Sequence, residues 1–395
     1  MNQAEATRRK RRLFKRRYGG FVQAEFQALF YDAGAGRVDT TLAAGLGVGT
    51  FTRATTAWTK LASGLWASVS SGTPRSTYLG MTTAATAYAG YFAEGAGTQL
   101  VTPTASIRDM TNAAWIKVTM TTAKTSTGID GAANSCTRLT ATGANSTILQ
   151  TLVAAATSRT YSAWVKRITG TGTILLKQGT ATLDITALIN SSTFTLVQLN
   201  DNELNVAYGF QINTSGDAID VDFNQFEAGG FATSPMDAAG AARNADLLAY
   251  PFAGNALASA GSLYLEKTVE WALNGAASAV PFSFSAANLG IAYVGASVAA
   301  TRASMFDGTT GFSKLALADQ FTGVRKHAAS WGAAGQAVTG DGLAPATVAF
   351  DGDIGSTNIT IGATSGGGTE WFGTIKNVRI WHTQLADSLL QSMTA

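Results

Sequence analysis

Carboxylates are the first residues in this chain that could carry chemistry. Cleaving a glycosidic bond takes two of them, about 5 to 9 Å apart, one as acid and one as base or nucleophile. The body of the chain offers Glu94, Glu203, Glu227, Glu266, Glu270 and Glu370. Glu94 and Glu227 stand close to glycines, where a loop carboxylate ordinarily accepts hydrogen bonds from local backbone. No spacing brings any pair together. Ser330, His327 and Asp341 can be written as a triad, but no G-x-S-x-G turn presents the serine. Residues 326–331 read instead as a strand, with His327 in the core or at an edge. Asp217, Asp220 and Asp222, and separately Asp351 and Asp353, are hard oxygen donors. Neither group supplies the roughly six to eight oxygens that calcium takes. The glycine runs at 45–50 and 366–368 lack the GK[ST] ending of a phosphate loop. The expectation is no catalytic residue, no metal and no cofactor.

Two other residue classes remain. The chain has eight tryptophans, and an exposed indole can stack on the C–H face of a sugar. Trp164 and Trp381 fall in strand-like runs and read as core. Trp371 follows the glycine-rich stretch 365–369, so it is the expected ligand-binding residue. The second class is basic. Residues 8–17 read RRKRRLFKRR and hold eight of the 28 Lys and Arg residues. Arg8, Arg9, Lys10, Arg11, Arg12, Lys15, Arg16 and Arg17 supply charge, while Phe14, Tyr18 and Phe21 add apolar anchors. Such an arm can neutralise phosphates or dock into an acidic groove of another protein. The aromatic residues favour protein docking over nucleic acid. Glu5 is the only acid before Tyr18, which leaves a body of 20 basic and 24 acidic residues, net −4. The overall +3 is therefore an average over two unlike parts.

The elements that must position these residues are strands. Charged residues make up 13% of the 395, against about 25% in an ordinary globular chain, so long solvent-facing helices lack their usual residues. A hydrophobic content of 46% excludes disorder, and Thr, Val and aromatics in short Gly-punctuated runs favour sheet. One cysteine, Cys136, excludes an intrachain disulfide framework. No run of 18 apolar residues is present, so no spanning helix is expected, and the basic start lacks the apolar core of a secretory leader. Helical character is confined to residues 1–33, where Leu13, Phe14, Arg17 and Tyr18 are followed by Phe21, Phe26, Leu29 and Phe30, and to a short turn at 386–393. Alternation is clearest at 160–167, 206–212 and 220–226, and a second β region runs from 262 to 380. The expected fold is all-β: two tandem β-sandwich (jelly-roll) domains after a short basic, partly helical N-terminal anchor. Its expected limits are an arm at 1–50, an irregular β connecting module at 51–105, and sandwiches at 106–250 and 260–395.

Phe51-Thr52-Arg53-Ala54, Pro74-Arg75-x-x-Tyr78 and Gly90-Tyr91-Phe92-Ala93-Glu94-x-Ala96-x-Thr98 resemble the opening module of bacteriophage tail-fibre and virion-appendage proteins. The strand at 161–167, the string Phe226-Glu227-Ala228-Gly229-Gly230-Phe231-Ala232-Thr233-Ser234-Pro235, and Ala242-Arg243-Asn244-Ala245-Asp246 are similar to the carbohydrate-binding-module-like jelly roll that follows in those proteins. Residues 373–387 resemble the close of a concanavalin-A/laminin-G-like sandwich. Gln99 stands where Asn is usual, and Met236-Asp237 where Ile-Pro is usual. The resemblance implies a non-enzymatic virion protein, a tail fibre or tail appendage. It implies attachment to other virion proteins through the arm, assembly as a homotrimer, and contact with host-surface glycans. A capsid-decoration or head-fibre protein is the alternative. A polysaccharide-degrading enzyme is disfavoured, because the repeated acidic β-helix of depolymerases is missing.

Overall fold

The alternating runs in the middle of the chain become two five-stranded antiparallel sheets. The computed structural model describes residues 23–78, 88–238, 242–269, 280–284, 290–294, 302–306, 312–316, 324–350, 354, 357–364 and 370–395. One middle sheet has the order Ile116–Val118, Ser146–Thr151, Ala207–Ile212, Ile174–Gln178, Ala181–Asp184. The other runs Met120–Ser126, Cys136–Ala141, Ala218–Ala228, Thr157–Thr169, Thr195–Glu203. Side chains two apart point the same way. Tyr208, Phe210 and Ile212 therefore meet Tyr161, Ala163 and Val165 in one buried core. Tyr208 stacks on Phe226 with centroids 4.3 Å apart, and burying each such side chain stabilises by roughly 1.5–3 kcal/mol. Together the two sheets form a β-sandwich, the jelly roll, between residues 116 and 228.

The second sandwich is discontinuous. Its large sheet runs Tyr31–Gly34, Arg37–Asp39, Arg75–Tyr78, Tyr88–Ala93, Gly373–Trp381, Gly261–Val269, Val324–Gly332, Gly335–Gly340, Ala346–Val348. Phe26–Leu29 lies along Gly373–Trp381 as well and carries Leu42–Ala44. A smaller sheet, Phe282–Ser283, Asn358–Ile361, Leu247–Pro251, Thr50–Thr52, contributes Leu248, Tyr250 and Ile361 to the same core as Phe26, Leu263 and Val378. The jelly roll is thus inserted between two halves of one sandwich. Its ends leave side by side, because Gly97–Thr98 pairs with Ala242–Arg243. The short helix Asp387–Thr394 seats Leu390 on Ala328 and Ala337. Among the described residues no helix is long and apolar enough to cross a membrane.

This pairing corrects three expectations. Phe26–Leu29 is a strand rather than the end of a helix, since Phe26, Ala28 and Phe30 are spaced by two and find a fixed edge at residues 377–380. Residues 23–50 belong to the discontinuous sandwich, not to an arm. Residues 51–105 are no separate module, because their strands pair with Gly373–Trp381 and Leu247–Pro251.

Deleting residues 1–22 should leave the thermal midpoint within about 2 °C of the full chain. Deleting residues 1–41 removes Phe26 and Phe30, which are at most 2% exposed. Losing either ring alone costs about 3–5 kcal/mol, so the midpoint should drop by roughly 10 °C or more. Circular dichroism melts of the two truncations check this.

Candidate functional site

Five of the strings that carried the resemblance converge on one buried cluster. Arg53 follows Thr50–Thr52, Arg75 opens Arg75–Tyr78, Glu94 ends the run after Tyr88–Ala93, and Asp246 precedes Leu247–Pro251. Arg53 Nη1 lies 2.6 Å from Asp246 Oδ1, and Arg75 Nη2 contacts Asp246 Oδ2. Arg75 Nη2 also lies 3.0 Å from Glu94 Oε2, which Arg243 Nη1 approaches to 2.7 Å. Ser234 completes the shell: its backbone N–H donates to Glu94 Oε1 at 2.8 Å and its hydroxyl to Oε2. These ionic side chains are 0–2% exposed. Arg53 also donates to the carbonyls of Ser70 and Thr73, and Arg75 to that of Trp58. Burial alone would raise the Asp246 carboxyl, but Arg75 and Arg53 outweigh it and hold the group below its ordinary value.

Glu227 sits beside this cluster. Thr233 donates to it through N–H at 2.9 Å and hydroxyl at 2.7 Å, and Gln225 donates as well. Burial pushes its carboxyl up despite those bonds. Gln99, in place of the usual Asn, is fully buried. It donates to the carbonyls of Asn224 and Met236 and accepts from the N–H groups of Val101 and Phe226. Asp237, in place of the usual Pro, accepts from the Trp58 indole at 3.3 Å. Both departures are absorbed by hydrogen bonds of the joint itself.

The other sequence candidates do not assemble. Trp371 is 0% exposed: its N–H donates to the Thr268 carbonyl at 3.2 Å, and the Lys267 ammonium lies 4.3 Å from its ring. It is a core residue and presents no face to a sugar, which overturns its expected role. The stretch 365–369 before it lies outside the described residues. His327 and Ser330 are both buried in one strand, and residues three apart on a strand face opposite sides, so no triad forms. Asp220 is bound by Arg138 and Ser126, Asp222 by Arg108, and Asp217 faces Arg167. Among the described residues no cluster of His, Cys, Asp and Glu could hold a metal. Asp351, Asp353 and every proposed anchor residue from Arg8 to Phe21 lie outside the described residues.

Sequence reasoning missed a groove. The hairpin of Ala57–Lys60 and Trp66–Val69 leans against the jelly roll. Trp58 meets Phe223 edge-on at 4.8 Å, Trp66 meets Trp164 at 5.2 Å, and the Trp66 backbone N–H donates to the Ile129 carbonyl. Between this hairpin and residues 188–195 opens a groove of about 580 Å³, walled by Leu65, Trp66, Trp164, Leu188 and Phe194 and rimmed by Ser63, Asn190, Ser192 and Thr193. Nothing local links residue 66 to residue 164, and both tryptophans read as ordinary strand residues. A second cavity of about 660 Å³ lies where Phe231 and Phe372, 4.7 Å apart, pack against both cores.

No protein-family model matches the chain, and no curated protein does. Among solved structures it is similar to the CBM40 of the Ruminococcus gnavus IT-sialidase bound to α2,3-sialyllactose (15% identity, 37% of this chain and 91% of that one, TM-score 0.30). It is similar also to the heptameric SAP-like pentraxin of Limulus polyphemus (13% identity, 37% and 72%, TM-score 0.29). A third similarity is to the CBM22-1–CBM22-2 tandem of Paenibacillus barcinonensis Xyn10C (10% identity, 73% and 99%, TM-score 0.27).

Removing one partner from a buried ion pair leaves the other charge uncompensated, at a cost of about 3–5 kcal/mol. Asp246→Asn should therefore lower unfolding free energy by that amount at pH 7. The folded-state pKa of Asp246 is depressed, so its contribution is complete above its ordinary value of 3.8 and is lost as pH falls below it. The gap between wild type and variant should narrow below that pH. Denaturant titrations at pH 7 and pH 3 test both expectations.

Proposed function

We propose that the protein is a non-enzymatic structural component of a bacteriophage particle, a tail fibre or tail appendage. Its N-terminal segment attaches it to other virion proteins, and its two β-sandwiches face the host surface and touch glycans there. The observation that carries this reading is the convergence of five of the resemblance strings on one buried ion cluster. Those strings therefore encode a joint between two sandwiches, and a joint is what an appendage built of modules must conserve in shape. A stiff connection holds the two modules together, which suits presentation more than diffusive catalysis. The carboxylates best placed for hydrolysis support the same reading. Glu94 is occupied by Arg75, Arg243 and Ser234, and Glu227 by Gln225 and Thr233. Assembly as a homotrimer would multiply weak surface contacts through avidity.

Gold labelling of a tag on Ala395, imaged on purified particles, tests the reading. Label on the tail of most particles is the expected result. Particles without label, from cells that make the tagged chain, would overturn it.

A further inference from the structure

The tryptophans differ in what their indole N–H groups do. Trp58 donates to Asp237, Trp115 to the Ser106 carbonyl, Trp331 to the Leu257 carbonyl and Trp371 to the Thr268 carbonyl. The indoles of Trp66 and Trp164, which meet at the groove, donate to no protein acceptor among the described residues. Trp66 and Trp164 are 3% and 5% exposed, and neither N–H is among the buried polar atoms fully sealed off without a partner. A structural tryptophan normally spends its one donor inside the fold. Two that do not, side by side at one groove, leave two donors unused by the fold.

We propose that this groove, between the Ala57–Lys60/Trp66–Val69 hairpin and residues 188–195, binds an uncharged pyranose ring. The proposal rests on the adhesion reading for its biological setting and adds the site and the ligand class. The groove volume of about 580 Å³ falls within the roughly 300–1,000 Å³ of small-molecule sites. Trp66 and Trp164 are almost buried in its wall, and the more exposed Leu65, Leu188 and Phe194 supply the apolar surface for the C–H face of a sugar. Leu65 and Leu188 are 42% and 52% exposed there. Its rim carries hydroxyls and an amide, which match the ring's equatorial hydroxyls. Asn190 Oδ1 accepts the N–H groups of Ser192 and Thr193 at 2.8 Å each, so the rim is shaped before any ligand arrives, which lowers the ordering cost of binding.

Charge decides against an acidic sugar. Among the described residues no carboxylate lines the groove, and its lining cation, Lys60, is 4% exposed and already engaged, while Lys166, 4.8 Å from the Phe194 ring, faces Asp220 at 3.9 Å. A ligand carboxylate would find no free counter-charge, whereas an uncharged ring meets only donors, hydroxyls and apolar surface.

The test uses the full chain with the methyl glycosides of glucose, galactose, mannose and N-acetylglucosamine, read by saturation-transfer NMR and tryptophan fluorescence. Trp66→Phe keeps a ring and removes one donor. Leu188→Asp charges the exposed mouth without entering the core. The proposal expects at least one glycoside to bind. Trp66→Phe should weaken it about threefold to tenfold, the scale of one neutral hydrogen bond. Leu188→Asp should abolish it, with its own melting midpoint unchanged within about 2 °C. No binding by any glycoside overturns the proposal, as does binding that both variants retain. Loss of self-association in Leu188→Asp without glycoside binding makes the groove a protein contact and also overturns it. Host-cell adherence of the same three proteins is scored separately. Equal adherence of wild type and variants removes the groove but leaves the adhesion reading standing. Failure of wild type to adhere removes that reading, while the glycoside titrations still judge the groove.

Discussion

Three guanidinium groups and two carboxylates, all but sealed from solvent, meet where the two sandwiches join. Desolvating five ions is costly, and their mutual attraction repays it only when every partner is in place. The partners come from five separate segments. Arg53, Arg75 and Glu94 precede the inserted jelly roll, Ser234 belongs to its last turn, and Arg243 and Asp246 follow it. The cluster therefore forms only when the chain has left the first sandwich, folded the insertion and returned to the same point. It acts as a condition on the whole topology more than as a bond between two residues.

The groove depends on that condition. Arg75 donates to the Trp58 carbonyl, and the Thr59 hydroxyl donates to the Ser76 carbonyl, so the hairpin is pinned to the strand that carries the ionic joint. From there Trp58 and Trp66 reach across to Phe223 and Trp164 of the jelly roll. One wall comes from the hairpin and the other from the jelly roll. A shift at the joint would open or close the space between them, so the binding surface is a consequence of how the modules are locked.

Local patterns were legible and long-range ones were not. Tyr208, Phe210 and Ile212 alternate within one strand, so the jelly-roll core could be read directly from the sequence, as could a short helix near Asp387. The discontinuous sandwich could not. Phe26 pairs with Ile380, and no local signal distinguishes that partner from any other apolar strand. Trp371 misled for a related reason: the glycines before it suggested an exposed turn, while Lys267 and Thr268 of the neighbouring strand cover it. The resemblance strings named most residues of the joint without revealing that they touch. Arg75 and Asp246 are 171 positions apart, and only the fold brings their charges together.

The central claim is that the joint makes two sandwiches one cooperative unit. Scanning calorimetry of the full chain tests it most directly, because two-state unfolding requires equal calorimetric and van't Hoff enthalpies. A single transition with that equality is the predicted result. Two resolved transitions, one for each sandwich, would contradict it.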